Sequence, residues 1–147
     1  TYMTQGHEGR LGQVMTNLID NALSFSPEDG VVSVGVRRIR DQLIVTVDDE
    51  GPGIPADRLD HVFKRFYSDR PQSDRTLGKN SGLGLSISRE IVRAHGGEIH
   101  AENRPQAAGA VVSGRLSREL EERRIEGVAG ARFVVTLPAL PMDSKAS

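Results

Sequence analysis

Leu11, Val14, Leu18 and Leu23 recur at close to helical spacing, and Ile19 and Ala22 widen the apolar stripe. The pattern predicts an amphipathic helix over residues 9 to 25. Ser26-Pro27-Glu28-Asp29-Gly30 supplies its stop and a turn. The period then changes. Val32, Val34 and Val36 alternate with Ser33 and Gly35, and Leu43, Val45 and Val47 alternate with Ile44, Thr46 and Asp48. This predicts two strands with a hairpin turn at Asp41-Gln42. Pro55 and Asp57 suit the start of a short helix to about Val62.

Residues 68 to 82 are rich in Gly, Ser, Asp and Arg, which is the composition of a mobile loop. A second long helix is predicted over 83 to 95, closed by Gly96-Gly97. Strands are expected at 98 to 102 and 131 to 137. The stretch between them, 106 to 129, starts small and apolar and continues with helical charge pairing up to Arg124. It reads as an inserted loop carrying a short helix. Lying far along the chain from the motifs below, it is expected to be dispensable for ligand affinity. The tail, 140 to 147, is expected to be disordered.

Composition narrows the function classes. At 147 residues the chain is expected to be one domain with a real core. Its 19 basic and 20 acidic residues nearly balance, and no basic run favours nucleic acid or a membrane surface. The absence of cysteine excludes disulfides and thiolate metal sites. No apolar run approaches the roughly 18 residues of a membrane span. A reducing compartment fits. Thr1 is a poor natural start, so a longer parent chain is expected.

Three segments carry candidate chemistry. Asn17 and Asn21 stand one helical turn apart on one face. Helix interiors disfavour Asn, because its amide competes for backbone hydrogen bonds. Amide oxygens suit Mg²⁺, although a pair of asparagines also bridges or caps neighbouring loops. Asp49 ends an apolar strand ahead of Gly51-Pro52-Gly53. A carboxylate there can accept from an adenine amino group, with glycines admitting the flat base; the same residues make a good turn. Residues 78 to 85, Gly-Lys-Asn-Ser-Gly-Leu-Gly-Leu, precede the second helix. Backbone N–H groups and the helix dipole favour phosphate there. No P-loop pattern occurs, and Ser81 is a residue type that can cap the helix with or without phosphate. His7, His61, His95 and His100 match no metal or catalytic pattern.

Taken in order, these segments resemble the ATP-binding catalytic domain of bacterial sensor histidine kinases, in the GHKL superfamily shared with gyrase, MutL and heat-shock chaperone ATPases. Asn17-Leu-Ile-Asp-Asn21-Ala resembles the N box. Asp49-Glu-Gly-Pro-Gly53 resembles the first glycine box, and Val62-Phe-Lys-Arg-Phe-Tyr67 the F box. Residues 78 to 85 resemble the second glycine box. Ile91-Val-Arg-Ala-His-Gly-Gly-Glu-Ile99 and Gly130-Ala-Arg-Phe-Val-Val-Thr-Leu-Pro138 are also typical of the kinases. Asn-Ala-Leu-Ser-Phe-Ser-Pro is similar to the wording of alphaproteobacterial ChvG-type sensors.

The resemblance implies an α/β (α+β) two-layer sandwich, the Bergerat-type ATP-binding fold, with a mixed, mainly antiparallel sheet and helices on one face. It places the catalytic domain at 1 to 139. It implies ATP and Mg²⁺ as cofactors, with Asn21 and Asn17 toward the metal and Asn17, Asn21 and Arg65 catalytic. The implied ATP contacts are Asn17, Asn21, Ser24, Phe25, Asp49, Gly51, Gly53, Ile54, Lys79, Ser81, Gly82, Leu83, Gly84 and Leu85. Two positions depart from the family. Ser24 stands where a basic residue is common, and Phe25 where Tyr is common, which removes a charge and a hydroxyl.

The ATPase relatives carry a water-activating Glu at the position of Asn17. An amide cannot take that proton, so slow hydrolysis is expected, with the γ-phosphate reserved for a protein. No histidine here matches the family's phosphoacceptor motif. The acceptor is therefore expected on a separate dimerisation domain of the same kinase, with a response regulator downstream. The parent is expected to be a membrane-bound homodimeric sensor with this part cytoplasmic, and the fragment alone monomeric. A stand-alone GHKL anti-sigma-factor serine kinase, or a nucleotide-binding regulatory module, is the alternative.

Overall fold

The structure, a computed structural model, describes residues 8–27, 29–64, 84–106 and 118–139. Helix α1 spans Glu8–Phe25, and strands β1 (Ser33–Ile39) and β2 (Gln42–Asp48) follow. Two single turns of 3-10 helix, Ala56–Arg58 and His61–Phe63, replace the short helix predicted from Pro55 to Val62. Then come α2 (Gly84–Ala94), β3 (Glu98–Pro105), α3 (Arg118–Arg123) and β4 (Val128–Pro138).

The sheet order is β1-β2-β4-β3. All three pairings among the described residues are antiparallel, so no parallel pair accompanies them. Ile39 pairs Gln42, which puts the hairpin turn at Arg40-Asp41, one residue earlier than the polarity pattern indicates. Arg40 takes a φ of 54° there.

Alternation decides which strand residues meet the helices. Leu43 and Val47 of β2, Phe133, Val135 and Leu137 of β4, and Ile99 and Ala101 of β3 point into one core. Val14, Leu18 and Ala22 of α1 and Ile91 and Val92 of α2 close it from above. Phe63 meets Phe133 edge to face, with ring centroids 5.9 Å apart. The helices cover β2, β4 and β3. Val34 and Val36 of the edge strand β1 therefore stay 49% and 42% exposed, despite their alternation.

Helix α2 stops as its Gly-Gly signal requires. Gly96 adopts a φ of 79°. Gly97 N–H donates to the Val92 carbonyl at 2.9 Å and Gly96 N–H to that of Arg93 at 3.0 Å. The His95 ring Nδ1 lies 2.7 Å from the Ile91 carbonyl, so this histidine has a structural role. Both β3 and β4 outrun their predicted spans. Their ends pair beyond Glu102 and before Ala131, up to an irregularity at Arg104/Pro105.

Candidate functional site

The asparagine pair lies where α1 meets the first turn of α2. Asn17 Nδ2 donates to the Gly84 carbonyl at 3.1 Å and to Ser88 Oγ at 3.2 Å. Ser88, fully buried, donates in turn to the Gly84 carbonyl at 2.9 Å. Asn17 thus braces the two helices with its amide hydrogens, and its Oδ1 has no donor among the described residues. Asn21 is only 6% exposed, and its amide has no partner among the described residues. The fully buried side-chain polar atom left unbonded among the described residues is Arg89 Nε, so the Asn21 amide stays within reach of solvent or a ligand. Asn17 therefore lies against the first turn of α2, with Asn21 one helical turn further along α1.

Asp49 anchors the second half of the site. It is 2% exposed. Its Oδ1 accepts from Gly51 N–H and Ala131 N–H, each at 2.9 Å. Oδ2 has no donor among the described residues. Burial pushes this carboxyl up from 3.8 to about 6, against the lowering pull of those two N–H groups and the Arg104 charge; neighbouring Asp48 adds to the rise. At neutral pH it is ionised with one oxygen to spare.

The turn after Asp49 is held from three sides. Asn103 of β3 accepts from Ile54 N–H and donates to the Ile54 carbonyl, both at 2.7 Å. Ile125 N–H donates to the Pro52 carbonyl at 3.0 Å. Gly53 sits at φ 91°, and a Cβ there would meet Val128 Cγ1 at 2.6 Å, so only glycine fits. The Phe25 carbonyl lies against Gly51, which brings the end of α1 to the same turn.

These contacts correct the expectation for the 106 to 129 insertion. Its second half is not remote: Ile125 and Val128 form the wall behind the glycine turn, and α3 buries Leu120. Residues 128 and 129 belong to β4 rather than to a loop. Deleting 106 to 129 is therefore expected to weaken ADP binding about fivefold or more, the worth of roughly 1 kcal/mol from one lost hydrogen bond. Calorimetry with a parallel thermal melt checks this; unchanged affinity in a folded variant would contradict it.

The structure brings Asn17 and Gly84 together, leaves Asn21 one turn along α1, and gathers Phe25, Asp49, Gly51, Gly53 and Ile54 around one turn. Leu85 packs partly into the core. The Ser24 hydroxyl donates to the Asp20 carbonyl at 2.9 Å, so its one proton is already used within α1. Arg65, Lys79, Ser81, Gly82, Leu83 and the 68 to 82 loop lie outside the described residues. Of the F box, Val62 and Phe63 are buried, with the Arg89 guanidinium 5.8 Å from the Phe63 centroid. Ser88, Asn103, Arg104 and Ala131 are the supporting residues that sequence reading missed. Only the Asn before Arg104-Pro105, at a strand's end, carries even a weak local signal.

Residues 6–141 match the Histidine kinase-, DNA gyrase B-, and HSP90-like ATPase family. The chain belongs to that family. It is 46% identical over 142 residues to Sensor protein ChvG of Rhizobium meliloti (strain 1021), covering 96% of this chain and 22% of that protein. The chain thus spans about a fifth of its curated relative's length. Among solved structures, the mycobacterial sensor histidine kinase MprB superposes with a TM-score of 0.70 at 29% identity, covering 95% of this chain and 76% of that one. Full-length ShkA, solved in complex with AMPPNP, gives 0.63 at 25% identity, covering 93% of this chain and 23% of that one. The fold is therefore that of the histidine kinase ATP-binding domains. No helix among the described residues is long and apolar enough to cross a membrane.

Proposed function

We propose that this ATPase-family domain binds Mg²⁺-ATP and donates its γ-phosphate to a histidine on a separate dimerisation domain of the parent sensor. The observation that carries the reading is two places where acceptors have no described donor, one on α1 facing α2 and one at the glycine turn that the end of α1 reaches. Asn17 lies against the first turn of α2 with Asn21 one helical turn along α1, and Asp49 Oδ2 lies at the glycine turn. The first suits a hard cation and phosphates. The second suits the adenine amino group, a donor that a carboxylate accepts.

The donor set fits Mg²⁺. In this reading, amides and the nucleotide's own phosphates supply the ligands. When bound, the ion neutralises charge that develops as the γ-phosphate leaves. Asn17 holds α1 to α2, and with them the phosphate end of the cleft. An amide at position 17 does not deprotonate water, which favours transfer to a protein over hydrolysis. ShkA's complex with AMPPNP supports a nucleotide triphosphate as ligand. ChvG, a sensor protein, supports a two-component context with a response regulator downstream.

The test mixes this chain, radiolabelled ATP and Mg²⁺ with the separately expressed dimerisation domain of the same sensor. Acid-labile phosphate on that domain is the expected product, because a phosphoramidate N–P bond hydrolyses in acid. Acid-stable phosphate would point to a serine acceptor and the anti-sigma-factor type of kinase. No transfer with intact nucleotide binding would reduce the domain to a binding module.

A further inference from the structure

Arg104 stands outside every motif, one residue before the end of β3. Its Nη1 donates to the Asp49 main-chain carbonyl, and its Nε lies 3.6 Å from Asp48 Oδ2. The side chain is 27% exposed and Asp48's is 17% exposed, so the pair is largely withdrawn from water. Arg132 of β4 holds the other side of Asp48 with two bonds, Nε to Oδ1 at 2.7 Å and Nη2 to Oδ2 at 3.0 Å. Asp48 is thus fixed between two guanidinium groups.

The register explains why Arg104 can reach. Arg104 pairs with Gly130, and Asp48 with Arg132. A Cβ at Gly130 would collide with the Asp49 carbonyl, so the glycine lets the Asp49 main chain lie directly over β4. Arg104 meets that same carbonyl from β3. From these placements we infer that Arg104 is a positioning residue for nucleotide recognition: it pins the Asp48-Asp49 main chain and supplies the positive charge beside the base-reading carboxylate.

The inference rests on the proposed role of Asp49 and extends it. Burial works against ionisation of Asp49, and Asp48 adds to the opposition. The charged groups facing it are Arg104 from β3 and Asp48 from β2; Arg132 from β4 is engaged by Asp48 and lies near Glu102. Of these, Arg104 supplies the cationic pull named for Asp49. Arg132 is committed to Asp48, whose bonds raise its own pKa. A neutral side chain at 104 removes that pull and frees the Asp49 carbonyl. A lysine keeps the charge but loses the fork that spans carbonyl and carboxylate.

The experiment follows the Asp49 carboxyl by ¹³C NMR through a pH titration of the nucleotide-free chain, and ADP affinity by calorimetry over the same range. Arg104→Met is expected to move the Asp49 midpoint up by about one unit, the low end for losing a neighbouring guanidinium. It should also carry the acid limb of the ADP affinity profile up with it. Arg104→Lys is expected to restore most of the midpoint but only part of the affinity. Thermal melts establish that both variants fold. An unchanged Asp49 midpoint in folded Arg104→Met would overturn the inference. An Asp49 midpoint that moves while ADP affinity ignores it would leave Arg104's influence standing and sink the base-reading role of Asp49.

Discussion

Replacing Asn21 by alanine is expected to remove the Mg²⁺-dependent part of ATP affinity while leaving the fold at least as stable. The reason is that Asn21 contributes nothing evident to the folded chain. It is 6% exposed on α1, inside a stripe where Leu18 and Ala22 are core, and no described group bonds its amide. Alanine is the better helix former, by roughly half a kcal/mol. What alanine removes is the amide oxygen proposed above to face a hard cation. Interactions of that charged class are worth about 1.5–3 kcal/mol, which is roughly 10- to 100-fold in affinity. Calorimetric titrations with ATP, in Mg²⁺ and in EDTA, separate the two effects. Equal Mg²⁺ dependence in the variant would remove Asn21 from the metal.

Asp49→Asn is expected to act in the opposite sense on binding and stability, and at the other end of the ligand. The native carboxyl titrates near 6 in the folded chain against 3.8 ordinarily. The sign follows from that rise. The folded state holds its proton more tightly than the unfolded one, so Asp49 favours folding most below 3.8 and loses that advantage as pH climbs through about 6. Above 6 its ionised, desolvated form is a burden of about 3 kcal/mol at 1.36 kcal/mol per unit. Asparagine keeps an Oδ1 for the Gly51 and Ala131 N–H groups and carries no charge. The nucleotide-free variant should therefore melt several degrees higher at pH 8 and show little gain at pH 4.

Binding should suffer in the same variant. An asparagine that turns Oδ1 to those two N–H groups presents its NH₂ where the native residue presents a free oxygen, donor against donor toward adenine. ATP and ADP should weaken alike, about 10- to 100-fold. The native chain should also lose ADP affinity below pH 6, and the variant should not. If ATP weakened alone, the adenine role of Asp49 would be wrong.

Much of this site is legible in the sequence because its parts announce themselves locally. Asn is unwelcome mid-helix, so a pair on one face is conspicuous; Gly-Pro-Gly and Gly-Gly mark backbone that other residues resist. Alternation found every strand, but not their ends, because pairing between β3 and β4 extends both past their apolar residues. It also overstated the burial of Val34 and Val36, since edge position is a property of sheet order. The supports are illegible for a different reason. Asn103 lies 49 residues from Ile54, and Arg104 55 residues from Asp49. Nothing local distinguishes them from the solvated polar residues of any strand. The insertion misled in the same way, since distance along the chain hid the contact of Ile125 with Pro52.

One titration probes both ends of the proposed site: ATP into the native chain, at pH 7.5 and at pH 5.5, each with Mg²⁺ and with EDTA. The expected result is saturable single-site binding at pH 7.5 in Mg²⁺, weakened by EDTA at the asparagine end and weakened again by acid at the Asp49 end. Affinity indifferent to both Mg²⁺ and pH, or no binding at all, would contradict a cleft that holds metal and phosphates at Asn17 and Asn21 and the base at Asp49.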